Sequence, residues 1–192
     1  MNLLLASSST YRRALLERLN LVFTQVSPDI DETAMANESA HDLVVRLSRQ
    51  KAEALASQYL NTLIIASDQV AELDGLILGK PGTEQRAIEQ LSQCSGRQVR
   101  FHTGLCLLNT RTGHQQVESV EFSVWFRSLT RSQIEGYVRK ELPLDCAGSF
   151  KCEGLGIALF ERMEGQDPNS LIGLPLIRLV SMLGNEGVDV LT

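Results

Sequence analysis

A carboxylate and an ammonium group lie close together in the sequence, in a pattern that suggests chemistry. Asp68 follows the apolar run 63–66, and Lys80 lies in a Gly-Lys-Pro turn shortly afterwards. An aspartate near the end of a buried strand is unfavourable unless it is paired or bound to a cation. Ligands of open α/β sheets usually bind where the strands end. We therefore expect Asp68 and Lys80 to serve a charged ligand.

The beginning of the chain offers groups that bind phosphate. The letters "ASSSTYRR" place Ser7 before a predicted helix that begins at Thr10 and carries Arg12 and Arg13. Unpaired N–H groups at a helix start, serine hydroxyls and a guanidinium fork together can cradle a phosphate. When these letters are taken alone, a capped surface helix with solvated arginines is the better explanation.

Glu32, in "DIDETA", and Lys51, in a predicted helix, enlarge this set of charged residues. Each is an ordinary surface residue when it is considered by itself. Two carboxylates can hold Mg²⁺ or Mn²⁺ against phosphate oxygens, while lysines and arginines take up the remaining charge. The combined set suits hydrolysis of a nucleoside triphosphate, but it does not indicate which base the nucleotide carries.

Several familiar site patterns are absent from the sequence. "GLILGKP" has glycines spaced one residue too closely for a phosphate-binding loop, and Pro81 stands where a serine or threonine would hold magnesium. No GxGxxG follows a predicted strand, which argues against a dinucleotide-binding fold. The histidines lack metalloprotease spacing and are interpreted as structural or solvent-facing: His41, His102 and His114.

Composition limits the class of protein. The chain has 192 residues, a length that suits one domain over residues 1–192. Its net charge of −5 disfavours a nucleic-acid partner, since such proteins usually need a basic surface. No apolar run approaches the roughly 20 residues of a membrane span, and the first residues lack the order of a secretory signal. The four cysteines form no CxxC pair, so we expect free thiols and a cytoplasmic protein.

Alternating strand and helix patterns predict an α/β fold with a mixed sheet. Helices are expected to begin at Thr10, at Asn37 or Ser39, and at Thr83, where polar side chains can cap them. In the second of these helices, the expected inner residues are Leu43, Leu47, Ala54 and Leu55. The other expected elements are strands at 2–6, 21–26, 98–108, 115–127 and 156–163, helices at 132–140 and within 168–183, and a strand that ends near Asp68.

Six ordered motifs resemble those of the Maf family of nucleotide pyrophosphatases: "ASSSTYRRALLERL", "DIDET", "KAEALA", "IIASDQV", "GKPG" and "GSFKCEGLGIALFERMEGQDPNSLIGLP". The resemblance covers essentially the whole chain. It implies an elongated mixed sheet flanked by helices, similar to inosine triphosphatase-like folds, with two lobes and a cleft between them. It also implies a nucleotide substrate and a homodimer.

The resemblance further implies roles for individual residues. Asp68 would be the general base that activates water for attack on the α-phosphorus, giving a nucleoside monophosphate and pyrophosphate. Asp68 and Glu32 would hold the divalent metal, Mg²⁺ or Mn²⁺. The substrate phosphates would be bound by Ser7, Arg12, Arg13, Lys51 and Lys80. Thr10 departs from the proline that many members carry before the two arginines.

Substrate preference is implied by three further positions. Tyr11, Gln69 and Glu153 together are similar to the branch of the family that acts on 7-methyl-GTP, although tryptophan is more usual than Tyr11. In the branch that acts on dTTP and UTP, threonine usually follows the catalytic aspartate. The leading expectation is hydrolysis of 7-methyl-GTP. The alternatives are a pyrophosphatase for dTTP, UTP or another modified nucleotide, and a non-catalytic nucleotide-binding regulator of cell division.

Overall fold

Strands and helices alternate along the chain in a computed structural model that describes all 192 residues. The strands are β1 (Asn2–Ala6), β2 (Thr24–Val26), β3 (Thr62–Leu73), β4 (Leu76–Leu78), β5 (Gln98–Asn109), β6 (Gln115–Phe126) and β7 (Phe160–Gly165). The helices are α1 (Thr10–Glu17), α2 (Ala40–Ala56), α3 (Glu84–Cys94), α4 (Arg131–Glu141), α5 (Pro168–Ile172) and α6 (Leu176–Asn185). Two short 3₁₀ turns lie at Ala147–Ser149 and Leu155–Leu159.

Seven strands form one mixed sheet, in the order β2-β1-β3-β5-β6-β7, with β4 paired to β3. β1 runs parallel to β2 and β3, whereas β4 pairs antiparallel with β3, and β7 antiparallel with β6. The predicted α/β class with a mixed sheet is therefore confirmed. The chain divides into a first unit (Met1–Asp68, Thr103–Val120 and Asp167–Thr192) and a second unit (Gln69–His102 and Glu121–Gln166).

The first unit has a core on both faces of its strands. Leu5 and Ile65 point to one face, where they pack with residues of α1 and α6, while Leu4 and Ile64 point to the other and pack with α2. Strands covered on both faces read as continuous apolar runs, because alternate side chains enter different cores. This explains the unbroken hydrophobic letters of β1 and of the first half of β3.

The second unit is organised around four phenylalanines. Phe150 packs edge to face against Phe101, Phe126 and Phe160, with ring centroids 5.2, 5.9 and 4.8 Å away. This geometry is the favoured one for aromatic pairs and adds to the stabilisation from burial. Gly148 adopts a φ of 72° beside this cluster, where a Cβ would lie 3.1 Å from the Phe101 ring. The loop that precedes Phe150 therefore needs glycine.

Most predicted elements are confirmed, and their caps explain their beginnings. The hydroxyls of Ser39, Thr83 and Thr130 each accept a backbone N–H in the first turn of α2, α3 and α4. The predicted inward position of Ala54 is wrong, since Ala54 is exposed and Lys51 is buried instead. The predicted strand at 21–26 shortens to its last three residues, Thr24–Val26.

Three boundaries differ from the predictions. The strand expected to end near Asp68 continues to Leu73, because pairing with β1 stops at Ala66 but pairing with β4 takes over from Ala71. The strand expected at 156–163 begins only at Phe160, after a 3₁₀ turn. The closing helix is divided into α5 and α6 by Gly173, whose φ of 120° is incompatible with a helix.

Two expectations from composition concern the cysteines and the lengths of the apolar helices. All four cysteines are free, as predicted. No helix combines the length and the apolar character that crossing a membrane would demand.

The contact between α2 and β5 gives a first prediction, which concerns stability. A Cβ on Gly104 would lie 2.2 Å from the Val44 carbonyl oxygen and 2.3 Å from the Ser48 hydroxyl, so Gly104→Ala must push α2 away from the sheet. We expect a loss of roughly 1–3 kcal/mol in the free energy of unfolding, measured in urea. Gly136→Ala is the control: it lies within α4 with open space around it and should stabilise by roughly 0.5–1 kcal/mol. Equal effects of the two substitutions would contradict this packing.

Candidate active site

Helix α2 brings Lys51 into the first unit from a position that looks ordinary in the sequence. Its apolar side faces the sheet, and the close approach at Gly104 brings the helix backbone almost into contact with β5. Lys51 lies on this inner side and is only 6% exposed. A buried ammonium group needs a partner, because removing its charge from water is strongly unfavourable.

Two carboxylates supply that partner. The Lys51 Nζ atom lies 2.5 Å from Asp68 Oδ1 and 2.8 Å from Glu32 Oε1. Asp68 is 7% exposed, while the Glu32 side chain is largely open to solvent. Asp68 lies two residues after Ala66, the last β3 residue paired with β1. It is therefore at the carboxyl end of that parallel pair, in the interior of the longer strand. We call Glu32, Lys51 and Asp68 the ion triad.

A separate ion pair holds the loop that carries Glu32. Arg46 donates from Nε and Nη2 to the two carboxylate oxygens of Glu38, at 2.6 and 2.7 Å, and from Nη2 to the Thr33 carbonyl at 3.1 Å. These hydrogen bonds lower the pKa of Glu38 below its ordinary value. The segment 32–38 is thereby tied to the same helix that carries Lys51.

Arg12 is the second cation of the site. Its Nε donates to the Gly173 carbonyl oxygen at 2.9 Å, and its Nη1 donates to the Ser7 hydroxyl at 3.4 Å. Burial lowers the pKa of Arg12 from its ordinary value, while the charges of Asp68 and Glu32 act in the opposite direction. The guanidinium therefore lies within electrostatic reach of both carboxylates of the ion triad.

The serine loop between β1 and α1 is built as the sequence suggested. Ser9 caps α1 by accepting the Arg12 backbone N–H at 3.3 Å, and Ser7 is buried at the end of β1. The Gln25 side chain donates to the carbonyl oxygens of Ser7 and Ser9, at 2.8 and 3.1 Å. Ser7, Arg12, Glu32, Lys51 and Asp68 are thus gathered in the first unit.

Arg13 is not gathered with them. It forms an i,i+4 ion pair with Glu17 at 2.9 Å, and both side chains are more than half exposed. Such pairs contribute only a few tenths of a kcal/mol on a helix surface. For Arg13, the interpretation as a solvated surface arginine describes the structure better than a phosphate ligand does.

Comparisons with known proteins agree with the family resemblance of the six sequence motifs. The family model for Maf-like proteins matches residues 2–186, almost the whole chain. The chain belongs to the Maf family. It is 61% identical over 189 residues to a protein of Pseudomonas savastanoi, and 62% identical over 188 residues to one of Pseudomonas putida, in each case across 98% of both chains. A relative from Alcanivorax borkumensis is 59% identical and covers 97% of this chain and 95% of its own. All three relatives are named 7-methyl-GTP pyrophosphatase.

Solved structures confirm the fold of this Maf protein. The Staphylococcus aureus Ham1 protein superposes with a TM-score of 0.56 at 17% identity, covering 97% of this chain and all of its own. A HAM1 protein from Coxiella burnetii gives a TM-score of 0.53 at 15% identity, covering 96% and 99% of the two chains. At such low identity, the similarity extends to the fold alone.

Three further residues predicted for the site belong to the second unit: Gln69, Lys80 and Glu153. Tyr11 lies in α1 of the first unit. Lys80 is exposed and forms no ion pair, and its turn is held by hydrogen bonds from Gln90 to Gly79 and from Gly82 to Leu144. Gln69 follows Asp68 in β3 and is partly buried, as is Tyr11 in the first unit. Lys80 is therefore a cation that no carboxylate of the chain neutralises.

Glu153 is also available for a ligand. It lies exposed in the glycine-rich segment, where it accepts a hydrogen bond from the neighbouring Cys152 thiol at 3.6 Å and forms no ion pair. Lys151, on the same loop, donates to the Glu141 carbonyl oxygen at 3.3 Å. Burial first, and then the charge of Glu153, raise the pKa of Cys152 to about 12. The Glu153 carboxylate is exposed to solvent.

Sequence reasoning missed the residues that position this Maf site. Gln25 contacts the serine loop, Arg46 contacts the Glu32 loop, and Gly173 contacts Arg12. Gln25 and Arg46 carried no recognisable signal, because a glutamine in a short strand and an arginine in a helix are ordinary. The letters Ile-Gly-Leu-Pro around Gly173 could have indicated a helix break.

The burial of the ion triad gives a second prediction. Lys51→Met leaves the buried Asp68 carboxylate without its nearest cation, and breaking buried pairs typically lowers stability by roughly 3–5 kcal/mol. We expect a loss of about 3 kcal/mol, since the Arg12 charge remains nearby. Adding Asp68→Asn to Lys51→Met should recover part of this loss in urea unfolding. Arg13→Met, which removes an exposed ion pair, should change stability by less than about 0.5 kcal/mol. A Lys51→Met loss no larger than that of Arg13→Met would contradict the buried pairing.

Proposed function

We propose that this chain hydrolyses 7-methyl-GTP to 7-methyl-GMP and pyrophosphate. The observation that carries the proposal is the ion triad: a buried carboxylate, Asp68, held by a buried lysine beside a second carboxylate, Glu32. A folded protein seldom keeps such a cluster without function, because buried charges stabilise the fold weakly compared with well-packed apolar residues. The names of the closely similar Maf relatives support the same activity.

The donor set of the first unit fits a hard divalent cation. Asp68 and Glu32 would hold Mg²⁺ or Mn²⁺, since their carboxylate oxygens approach one common atom, the Lys51 ammonium nitrogen. The chain contains no group of three or more His, Cys, Asp or Glu residues arranged for a metal. Mg²⁺ commonly uses one or two carboxylates, together with waters and substrate phosphates, so two are sufficient. When bound, the cation would supply positive charge to the triphosphate oxygens.

Each polar residue then has a definite task in the reaction. Asp68 accepts the proton of the water that attacks the α-phosphorus, while the bond from this phosphorus to the bridging oxygen breaks and releases pyrophosphate. Arg12, Lys51 and Lys80 bind the phosphate oxygens and stabilise the charge that develops on them. Positioning and charge stabilisation provide most of the catalysis in phosphoryl transfer.

Base selection follows from the charge of the methylated ring. A methyl group at N7 gives guanine a positive charge that GTP lacks. The exposed carboxylate of Glu153 suits such a ring, as does the aromatic face of Tyr11, while the Gln69 amide can bond to a base edge. A charge-assisted hydrogen bond contributes about 1.5–3 kcal/mol, which is roughly tenfold or more in affinity.

The cellular setting proposed for this reaction is the cytoplasm. The four cysteines are free thiols, which is the state that a reducing compartment maintains. Nucleotides are small-molecule substrates, and the negative net charge of the chain gives no support to a nucleic-acid partner.

The activity is tested by release of pyrophosphate from 7-methyl-GTP in the presence of Mg²⁺ or Mn²⁺. Wild type should turn over, and Asp68→Asn should lose roughly 10²–10⁴-fold in kcat, because this is the typical contribution of a general base. Asp68→Asn should still bind the nucleotide and unfold cooperatively. Removing the metal with a chelator should abolish turnover reversibly. Wild-type rates in Asp68→Asn would refute the mechanism, and binding without turnover in the wild type would favour a regulator.

Selectivity is tested with 7-methyl-GTP, GTP, dTTP and UTP. Wild type should prefer 7-methyl-GTP by its kcat/KM, and Glu153→Gln should reduce this preference about tenfold, mainly by slowing the methylated substrate. Glu161→Gln is a matched control, since Glu161 is an exposed carboxylate on β7 and should leave the preference unchanged. An unchanged ratio in Glu153→Gln would remove Glu153 from the base site, and a preference for dTTP or UTP would change the assigned substrate.

A further inference from the structure

The turn between α5 and α6 is held in one conformation by a buried carboxylate. Asp167, which is 1% exposed, accepts the Asn169 N–H at the start of α5, at 2.9 Å, and the Ile177 N–H in α6, at 2.7 Å. Gly173 ends α5 with φ 120° and ψ 9°, a backbone conformation that side chains rarely adopt. The end of α5 and the start of α6 therefore fix the direction of the Gly173 carbonyl group.

That carbonyl oxygen accepts two hydrogen bonds from distant parts of the first unit. Arg12 Nε donates to it at 2.9 Å, and so does the Ser67 hydroxyl, at 2.9 Å. Ser67 is completely buried, and its single hydroxyl proton is shared between the Gly173 carbonyl oxygen and the Gly104 carbonyl oxygen, which lies 2.7 Å from the hydroxyl oxygen. A carbonyl oxygen has two lone pairs, so both donors can be satisfied at once. One backbone atom thus joins the phosphate-binding arginine to the strand residue next to Asp68.

The contacts of Arg12 leave part of its guanidinium group for a ligand. Gly173 engages Nε and Ser7 engages Nη1, while Nη2 donates to neither of them. An arginine held in this way loses less rotamer freedom when it binds phosphate, which favours affinity. A Cβ at position 173 would lie 3.4 Å from Arg12 Nε, so the glycine also leaves room for the side chain.

We infer that Gly173 is a positioning residue for catalysis: its carbonyl oxygen orients the Arg12 guanidinium toward the substrate phosphates and couples it to β3 through Ser67. The inference rests on the proposed function, in which Arg12 binds the triphosphate. It assigns a role in phosphate binding to the α5–α6 turn, which itself donates no side chain to the ligand.

The test is a double-mutant cycle between Gly173→Ala and Arg12→Ala. Two quantities are measured: kcat and KM for 7-methyl-GTP, and the Kd of inorganic tripolyphosphate by calorimetry. In the wild-type background, Gly173→Ala should lower kcat/KM by roughly 10- to 100-fold, as expected when a binding group is misplaced by about an ångström. In the Arg12→Ala background, the same substitution should change both quantities by less than about twofold, because its effect passes through Arg12.

Gly187→Ala is the matched control. Gly187 lies in the same unit with a φ of 79°, so alanine there creates similar backbone strain, but nothing lies within 4 Å of the added Cβ. It should lower the melting temperature and leave kcat/KM and tripolyphosphate affinity unchanged. This control separates strain in the fold from misplacement of Arg12.

Ser67→Ala provides a second route to the same answer if Gly173→Ala does not fold. It removes the hydroxyl that the Gly173 and Gly104 carbonyl oxygens share, and it should weaken tripolyphosphate binding by roughly threefold to tenfold, again only when Arg12 is present. Effects that simply add to that of Arg12→Ala, for either substitution, would overturn the inference. If the wild type hydrolysed no triphosphate, the proposed function would fall, and the tripolyphosphate cycle would still decide the role of Gly173.

Discussion

The buried ammonium group of Lys51 is the interaction on which the candidate site depends. It lies between Asp68 and Glu32 at hydrogen-bonding distance from both, and it balances carboxylate charge that the first unit could not otherwise bury. This arrangement requires α2 to approach the sheet closely, which the missing side chain of Gly104 permits. It also requires the Glu32 loop to be held against α2, which the Arg46–Glu38 pair achieves.

The architecture of β3 places the Asp68 carboxylate. In the first half of the strand, side chains alternate between two apolar cores, and pairing with β1 ends at Ala66. Asp68 follows at the carboxyl end of the parallel pair, where open α/β sheets usually bind their ligands. Continuing the strand to Leu73 holds Asp68 by backbone on both sides, so its direction is more rigid than it would be in a loop.

Sequence analysis predicted the elements well where one local cause dominates. Ser39 and Thr83 cap helices as expected, and the apolar runs of β1 and β3 are buried strands. It failed where a tertiary partner decides the outcome. The strand end expected near Asp68 does not exist, because β4 pairs with the residues that follow, and this partner has no signal in the letters of β3 itself.

The same contrast between local and tertiary causes applies to the site residues. Types and order along the chain indicated Asp68, Glu32, Lys51 and Arg12 as candidates, and the structure gathers all four in one unit. Arg13, adjacent to Arg12, could not be separated from it by sequence, since only the orientation of α1 decides which arginine faces inward and which pairs with Glu17. The supporting hydrogen bonds end on backbone carbonyl groups, which no side-chain motif encodes: the Gln25 amide donates to the Ser7 carbonyl oxygen, and Arg12 donates to that of Gly173.

The central claim is that a water molecule, deprotonated by Asp68, attacks the α-phosphorus of the triphosphate. The most direct measurement is hydrolysis of 7-methyl-GTP in ¹⁸O-labelled water, with the products resolved by mass spectrometry. The account predicts one heavy oxygen in 7-methyl-GMP and none in pyrophosphate. Heavy oxygen in pyrophosphate, or release of orthophosphate in its place, would show attack at another phosphorus and contradict the account.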